Sequence, residues 1–156
     1  MVIVKLMGGL GNQMFQYAVG KALATELNTI FKLDLEFLLD RSPRENFVYR
    51  DYDLDIFKLR VERAVKNEIT PFFYTPKNKV DSALTRLRRI IRPYTYYHEP
   101  HFHFDPAALA LTGNVYLEGY WQTPKYFEKI EQEIRNDFAF KKIGRASCRE
   151  RVCLAV

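Results

Sequence analysis

VIVKLMGGLGNQMFQYA, residues 2–18, predicts a strand, a glycine-rich turn and the start of a helix in direct succession. Residues 8–13 of this stretch, which we call the glycine turn, contain three glycines within four positions. Glycines let a backbone approach an anion closely, and the following helix offers unpaired N–H groups and the positive end of its dipole. The stretch therefore predicts an α/β protein with a phosphate site, as in proteins that bind a nucleotide or a nucleotide sugar.

The residues after the glycine turn predict a βαβ unit that extends to residue 35. Apolar residues recur at spacings of three and four along the helix: Phe15, Ala18, Val19, Ala22, Leu23 and Leu27. We expect Asn28 to end this helix and the alternating residues 29–34 to form a second strand. A strand that returns after one helix pairs in parallel through a right-handed crossover, so the sequence predicts a parallel sheet.

Two common nucleotide-binding motifs do not fit the glycine turn. It supplies the first two positions of the dinucleotide fingerprint, and Asp34 stands near the expected acidic residue, but Met14 occupies the third glycine position. A P-loop is excluded because no Lys-Ser or Lys-Thr pair follows the glycines. A turn that only connects strand and helix is a further alternative. Asn12 and Gln13 argue against it, because amide side chains at a helix start cap the helix or reach a ligand.

Four segments of the chain occur in the order found in one glycosyltransferase family. They are GGLGNQMFQYA (residues 8–18), YDLDIF (52–57), EPHFHFD (99–105) and GYWQTPKYF (119–127). In these segments the chain resembles the glycosyltransferase family 11 enzymes, α1,2-fucosyltransferases that use GDP-fucose. The likeness covers about residues 1–142.

The resemblance implies a GT-B fold, in which two Rossmann-like domains face each other across a cleft, and this chain is expected to hold chiefly the N-terminal domain. The implied reaction moves L-fucose from GDP-β-L-fucose to the 2-hydroxyl of a galactoside, with inversion of the anomeric centre. The expected partners are therefore GDP-fucose and a galactoside glycan. The family is metal-independent, so no metal and no other cofactor are expected.

Candidate site residues lie in two groups. The expected donor-binding residues belong to the glycine turn: Gly9, Gly11, Asn12 and Gln13. The expected acceptor-binding residues are His98, Glu99, Tyr120 and Trp121, of which the last two follow a predicted core strand, residues 115–117. Ligands of open α/β sheets gather at the carboxyl ends of strands, where the two aromatic rings can stack on a sugar, with Glu118 and Gln122 as hydroxyl partners. A place in the core is the better explanation of either aromatic taken alone.

Three histidines, at positions 98, 101 and 103, invite a metal-site interpretation. Two prolines bracket this region as a loop, and no helix or hairpin is evident that would make the imidazoles converge. We expect instead that His101 and His103 alternate with Phe102 and Phe104 in an extended loop, with one face packed and the other polar. The sequence therefore favours no metal here.

Two further segments carry structural expectations. After Pro124, apolar residues at helical spacing predict a second amphipathic helix: Tyr126, Phe127, Ile130, Ile134 and Phe138. Residues 49–57 mix aromatic residues with three aspartates, at positions 51, 53 and 55, and are expected to form a loop across the sheet edge. One of these aspartates is a general base only if it faces the cleft, so the catalytic base is not identified.

Residues 143–156 differ from the rest of the chain and match no family segment. They contain both cysteines, Cys148 and Cys153, whose spacing is not that of a Cys-x-x-Cys metal or redox pair. The stretch resembles a read-through tail on an interrupted coding sequence. We therefore predict one domain over residues 1–142 and a non-native tail over residues 143–156.

The family signature His-x-Arg-Arg-x-Asp is expected just after residues 137–142, where the chain enters the tail. The Arg88-Arg89 pair does not supply it, because Arg86 and Ile91 stand where histidine and aspartate should be. The arginines of residues 86–92 fit the solvated face of an amphipathic helix better. The resemblance thus implies a truncated, inactive chain.

Composition limits the class of protein further. With 156 residues and 47% hydrophobic content, the chain can bury one core. The net charge of +5 falls to +3 without the tail, which argues against nucleic-acid binding. No stretch is long and apolar enough for a membrane span, so a cytoplasmic, bacterial-type location is expected, compatible with peripheral membrane association.

Two other classes stay open. A nicotinamide-dependent oxidoreductase would use Asp34 to hold a ribose and would have to tolerate Met14. A non-catalytic carbohydrate-binding module would use Tyr120 and Trp121 and would bind no nucleotide at the glycine turn.

Overall fold

The computed structural model describes residues 1–75 and 93–141. Its strands are β1 (Val2–Lys5), β2 (Phe31–Asp34), β3 (Glu62–Arg63), β4 (Tyr94–His98) and β5 (Asn114–Glu118). Its helices are α1 (Leu10–Glu26), α2 (Glu36–Leu39), α3 (Lys66–Ile69) and α4 (Glu131–Asp137), with short 3₁₀ turns between them. The strands form one parallel sheet in the order β3-β2-β1-β5-β4. The predicted α/β class and parallel sheet are confirmed, and the arrangement is Rossmann-like.

Strand β1 lies at the centre of the sheet because both faces of this apolar strand are buried. It pairs in parallel with β2 on one side and with β5 on the other. Val2 and Val4 face α1, whereas Ile3 faces Ile69 and Phe72 on the opposite side. Buried parallel strands read as continuous apolar runs for this reason.

The connections between strands divide between the two faces. Helix α1 and residues 106–110 pack with the core on the Val4 side, and α3 with the turn that follows it packs on the Ile3 side. The connection from β1 to β2 and the connection from β4 to β5 both step in the direction of the β3 edge. The connection from β3 to β4 crosses the sheet in the reverse direction. Opposite directions on opposite faces are what a single crossover handedness requires.

Helix α1 approaches the sheet most closely at Gly20. A Cβ atom there would lie 2.4 Å from the Phe31 ring and 2.4 Å from Val4. The close helix–sheet contact that the dinucleotide fingerprint places near Met14 is therefore made six residues later. Asn28 ends the helix as expected: its φ of 45° is left-handed, and the N–H of Thr29 bonds to the carbonyl of Ala24 in a Schellman-type closure.

The predicted helix after Pro124 is wrong as a continuous element. Residues 124–126 and 128–130 form two 3₁₀ turns, and only α4 is α-helical. The backbone of Phe127, at φ −131°, interrupts the helix and directs its ring toward Phe15 of α1, with 6.1 Å between ring centroids. The predicted apolar face is present nevertheless, since Tyr126 and Ile134 are buried. Packing against α1 overrides the local helical pattern.

Some predictions fall outside the described residues. They concern the arginine-bearing helix around Arg86, Arg88, Arg89 and Arg92, residue 142 at the predicted domain end, and the tail of residues 143–156 with Cys148 and Cys153. Within residues 1–75 and 93–141, no helix is long and apolar enough to cross a bilayer.

Candidate functional site

The structure brings the two predicted groups of site residues together at the carboxyl edge of the sheet. Strands β1 and β5 are neighbours, so the glycine turn and residues 119–122, which we call the tryptophan turn, leave the sheet side by side. The fully buried Gln16 joins them. Its Oε1 accepts the N–H of Met7 at 3.0 Å, and its Nε2 donates to the carbonyl of Gly119 at 3.0 Å.

A second contact joins the two turns at the surface. Nε2 of the exposed Gln122 donates to Oδ1 of Asn12 at 2.7 Å. Room for the Asn12 side chain comes from Gly8, where a Cβ atom would lie 2.4 Å from Asn12 Nδ2, and the φ of 78° at Gly8 also favours glycine. Asn12 is therefore directed toward the tryptophan turn, at the edge where ligands of α/β sheets bind.

The glycine turn leaves the start of α1 open. Gly9 is the N-cap residue, no side chain caps the helix, and its first turn carries no acidic residue. Cβ atoms at Gly9 and Gly11 would have no neighbour within 4 Å in the part of the chain that the structure describes. The positive end of the helix dipole and its first N–H groups are thus accessible at the sheet edge, which is the arrangement that binds phosphate in other α/β proteins.

Gln13 is engaged inside the fold. Its side chain is fully buried, and its Nε2 donates to the carbonyls of Gly8, at 3.0 Å, and Asp51, at 2.8 Å. Its Oε1 accepts the N–H of Asp53 at 3.0 Å. The Gln13 amide therefore holds residues 51–53 against the glycine turn, and Asn12 is the member of the predicted donor group whose amide lies at the surface.

The three aspartates of residues 49–57 lie on a segment whose C-terminal part is packed in the core. Leu54 and Phe57 are buried in the core. The side chain of Asp51 is 85% exposed and pairs with Arg41 at 2.5 Å. Asp51 therefore stands at the surface as an ion-pair partner, while its backbone carbonyl is the group that meets the glycine turn.

The tryptophan turn is held by the buried carboxylate of Glu99. This carboxylate accepts the backbone N–H of Tyr120 at 2.6 Å and that of Trp121 at 3.1 and 3.2 Å. The close approach requires glycine at position 119, where a Cβ atom would lie 2.4 Å from Glu99 Cβ. Trp121 adopts a left-handed φ of 57°, which is strained for a bulky residue.

Trp121 lies wholly in the core, as the core interpretation of this aromatic expects. Its ring has no exposed surface and packs against Tyr97 and Tyr126, with centroids 6.2 and 5.3 Å away. Its Nε1 has no hydrogen-bond partner among the described residues. In this structure Trp121 therefore has no surface on which a sugar could stack, and Glu99 reaches the site only through the backbone that it holds.

Tyr120 and His98 are the predicted acceptor residues that reach the surface. Tyr120 is half-buried at the sheet edge, and His98 is exposed at the end of β4. The Tyr120 ring lies 6.1 Å, between centroids, from the ring of Phe102, which is 71% exposed. Sequence patterning gave no signal for Phe102 as part of this site.

The expected extended loop around the histidines is wrong. Residues 101–103 form a bend in which the N–H of His103 donates to Nδ1 of His101 at 3.3 Å. The bend sends Phe102 outward, while Phe104 packs on Tyr126 with 4.9 Å between centroids. Across residues 1–75 and 93–141, no three histidine, cysteine or acidic side chains are grouped as metal ligands.

Charged residues on the Ile3 face lie just below the two turns. Lys5 Nζ is 2.7 Å from Glu118 Oε1, and the Tyr96 hydroxyl donates to the same carboxylate at 2.9 Å. Burial raises the pKa of Glu118, but hydrogen bonds from Lys5 and Tyr96 outweigh it, so the pKa lies below its usual value. The Glu118 carboxylate is therefore ionised and paired.

The Asp34 carboxylate is also engaged. It accepts the Tyr116 hydroxyl at 2.5 Å and the N–H of Glu36 at 2.8 Å. Burial, followed by this hydrogen bond to Asp34, raises the pKa of Tyr116 well above its usual value. Asp34 thus serves as an internal acceptor, rather than as an open carboxylate awaiting a ribose.

The fold and this edge define a Rossmann-like α/β domain with an open helix N-terminus beside a second, rigidly held turn. The chain is 30% identical to an α-1,2-colitosyltransferase of Escherichia coli over an alignment of 148 residues. That alignment covers 88% of this chain and 44% of the relative, so the chain spans less than half the length of the protein it matches. The match relates the chain to the glycosyltransferases.

Two other comparisons found nothing. No protein-family model matches the chain, and no solved structure matches it.

Proposed function

We propose that the chain is the N-terminal, Rossmann-like part of an inverting GT-B glycosyltransferase of family 11. The whole enzyme would transfer L-fucose from GDP-β-L-fucose to the 2-hydroxyl of a galactoside. The observation that carries the proposal is the meeting of the glycine turn and the tryptophan turn at one sheet edge, through Gln16 and through Asn12 with Gln122. The order of four family-like segments and the relative's name, which specifies an α-1,2 transfer, support it.

The proposed transfer requires two kinds of catalytic group. Breaking the bond between the sugar and the diphosphate requires positive charge or N–H donors on the leaving diphosphate, and the acceptor hydroxyl requires a base. This chain would supply the N–H groups and dipole of α1 at the open backbone of Gly9 and Gly11, and the Asn12 amide for a phosphate or sugar oxygen. The proposal needs no metal.

We further propose that the 156-residue chain does not catalyse transfer by itself. The arginine pair of the family signature would supply the remaining positive charge, and residues 1–156 do not contain that signature. Residues 143–156 would be the non-native tail that replaces it.

The relative's name also favours a second candidate donor. Colitose differs from L-fucose only in lacking the 3-hydroxyl, so GDP-colitose would present the same diphosphate to the glycine turn. The two donors differ by one hydrogen-bonding group, which makes their relative affinity a direct measure of whether the chain contacts the 3-hydroxyl.

The test is an NMR titration of the purified chain with GDP-β-L-fucose, GDP-colitose and NAD. We expect both GDP-sugars to shift the backbone amides of Leu10, Gly11 and Asn12, with dissociation constants of about 1 mM, and NAD not to do so. Absence of these shifts with both GDP-sugars, or equal shifts with NAD, would contradict the proposed donor site.

Asn12→Ala provides the matched variant, with the exposed Asn136→Ala on α4 as control. We expect Asn12→Ala to weaken GDP-fucose binding about fivefold, the value of one hydrogen bond, and the control to leave it unchanged. In a transfer assay with lactose, the chain should form no fucosylated product. Product formed by the purified chain would overturn the proposed inactivity.

A further inference from the structure

Phe102, which no sequence pattern marked as a site residue, forms an aromatic pair with Tyr120 at the site edge. Their ring centroids are 6.1 Å apart and their planes are inclined by 36°. Phe102 has 71% of its surface exposed, more than the other large apolar residues of the described chain. Single exposed apolar residues are ordinary, but two adjacent rings at the carboxyl edge of a parallel sheet lie where ligands bind.

We propose that Phe102 and Tyr120 are the surface on which the pyranose ring of the acceptor galactoside lies. This inference rests on the proposed function and names residues for its acceptor side. The C–H face of a galactose ring is apolar and packs on aromatic rings, while its hydroxyls stay at the rim. His101 and His103 are exposed neighbours of Phe102 in the chain, with 5.6 Å between their ring centroids, and would provide hydrogen-bonding groups for that rim.

The position of the pair agrees with an acceptor role. Tyr120 is two residues from Gln122, whose amide meets Asn12 of the glycine turn. A sugar on the aromatic pair would therefore lie beside a donor bound at the start of α1. An acceptor hydroxyl must lie next to the anomeric carbon of the donor for transfer, so adjacency of the two subsites is required.

Both rings stand on short segments that are anchored at their ends. The Tyr120 backbone is held by Glu99, whose own N–H donates to the carbonyl of Glu118 at 2.8 Å. Beyond Phe102, the Asp105 carboxylate accepts the Tyr97 hydroxyl, and the Asp105 N–H donates to the Tyr126 hydroxyl oxygen at 2.9 Å. Anchored segments lose little entropy on binding, so the pair is prepared to receive a ring.

The experiment compares Phe102→Ala with Phe140→Ala. Phe140 is a matched control because it is 68% exposed and also packs on one other ring, that of Phe57, on a different part of the surface. Binding of methyl β-D-galactoside and of GDP-β-L-fucose to the 156-residue chain and to each variant is measured separately by NMR. We expect Phe102→Ala to weaken galactoside binding about fivefold and Phe140→Ala to leave it unchanged.

The outcomes separate this inference from the proposed function. Galactoside affinity that is unchanged in Phe102→Ala, or absent up to about 50 mM in the parent chain, overturns the inference while leaving a donor site at the glycine turn intact. A loss of GDP-fucose affinity in Phe102→Ala, without loss of galactoside affinity, also overturns it, because the rings would then hold the nucleotide. Phe102-dependent galactoside binding without any GDP-sugar binding supports the inference and contradicts the proposed function.

Discussion

The glycine turn and the tryptophan turn leave the same edge of the sheet but are anchored in opposite ways. Neutral amides hold the glycine turn: Gln13 and Gln16 reach from α1 to backbone groups around it. A buried carboxylate, Glu99, holds the tryptophan turn by accepting two consecutive backbone N–H groups. One turn therefore keeps its helix N–H groups open, whereas the other uses its N–H groups on an internal anion.

Under the proposed function, this difference explains how one edge would receive a diphosphate while it carries acidic residues. A free carboxylate beside a phosphate would repel it. The Glu99 carboxylate accepts the N–H groups of Tyr120 and Trp121. The Glu118 carboxylate pairs with Lys5 and accepts the Tyr96 hydroxyl. Within the described residues, no side chain caps the N-terminus of α1 and its first turn carries no acidic residue, so the positive end of the helix dipole is left open at the glycine turn.

Glu99→Ala removes the anchor of the tryptophan turn, and we expect it to have the largest effect. The substitution leaves the backbone N–H groups of Tyr120 and Trp121 without an acceptor and removes the support of a left-handed tryptophan. We expect a loss of about 3 kcal/mol in the free energy of unfolding, measured by urea denaturation.

Two variants calibrate that result. Glu99→Gln keeps one oxygen acceptor and should lose about half as much, while Glu128→Ala removes an exposed glutamate and should change stability by less than about 0.5 kcal/mol. If Glu99→Ala were no more damaging than Glu128→Ala, the carboxylate would not be the anchor of the tryptophan turn.

Gln16→Ala tests the element that the two turns share. The substitution leaves the N–H of Met7 and the carbonyl of Gly119 without their partner, and it opens a small space beneath both turns. We expect a loss of about 2 kcal/mol in the free energy of unfolding and shifted amide resonances in both turns. The control is Gln132→Ala on the exposed side of α4. Shifts confined to the glycine turn would show that Gln16 does not couple the two segments.

The sequence predicted the sheet better than it predicted these anchors. Strands β1, β2 and β5 read as apolar or alternating runs, and α1 reads as a repeated apolar spacing, because burial imposes a period on each element. The hydrogen bonds between Glu99 and the tryptophan turn leave no periodic pattern in the sequence. They join residues more than twenty positions apart, and a buried glutamate looks like any surface glutamate in a single sequence.

The sequence does carry one signal for the amide anchors. Gln13, Gln16 and Gly20 recur at spacings of three and four, the same spacing that marks the buried face of α1. Two amides on that face must bond to something inside the protein, because buried polar groups are hydrogen-bonded. The helix predicted over residues 124–138 is wrong for a different reason. No local pattern in the sequence shows that Phe127 packs on Phe15 and that this contact determines the backbone there.

Lys5→Met tests how the charge of Glu118 is held, through the dependence of stability on acid pH. The pKa of Glu118 in the folded protein lies below the usual 4.5, so its ionised form stabilises the fold above that pH, and the contribution is lost as the pH falls through the folded pKa. Without Lys5, burial acts only against the hydrogen bond from Tyr96 and the smaller influence of His98, and the pKa of Glu118 should rise. We expect the variant to lose less than about 1 kcal/mol at neutral pH and to show a smaller loss of stability on acidification, because the folded pKa of Glu118 then lies closer to its unfolded value.

An NMR titration of the Glu118 carboxylate measures that shift directly. Lys129→Met is the control, since its side chain is 79% exposed and pairs with Glu26 far from the sheet edge. An unchanged Glu118 titration in Lys5→Met would mean that Lys5 does not hold the carboxylate ionised, and that β1 and β5 are not joined electrostatically below the two turns.

Asn12→Ala should have the smallest effect on stability. Because the fold is kept, the variant isolates the effect of Asn12 on donor binding. The contact between Asn12 and Gln122 lies at the surface, where water replaces either partner, so we expect a loss of less than about 0.5 kcal/mol. Gln122→Ala should match it, and the double variant should lose no more than either alone if the pair acts only on itself. Asn12 can then be removed without loosening either turn. A fall in GDP-fucose affinity in Asn12→Ala but not in Gln122→Ala would therefore report a contact between Asn12 and the donor, whereas an equal fall in both would report the geometry of the joined turns.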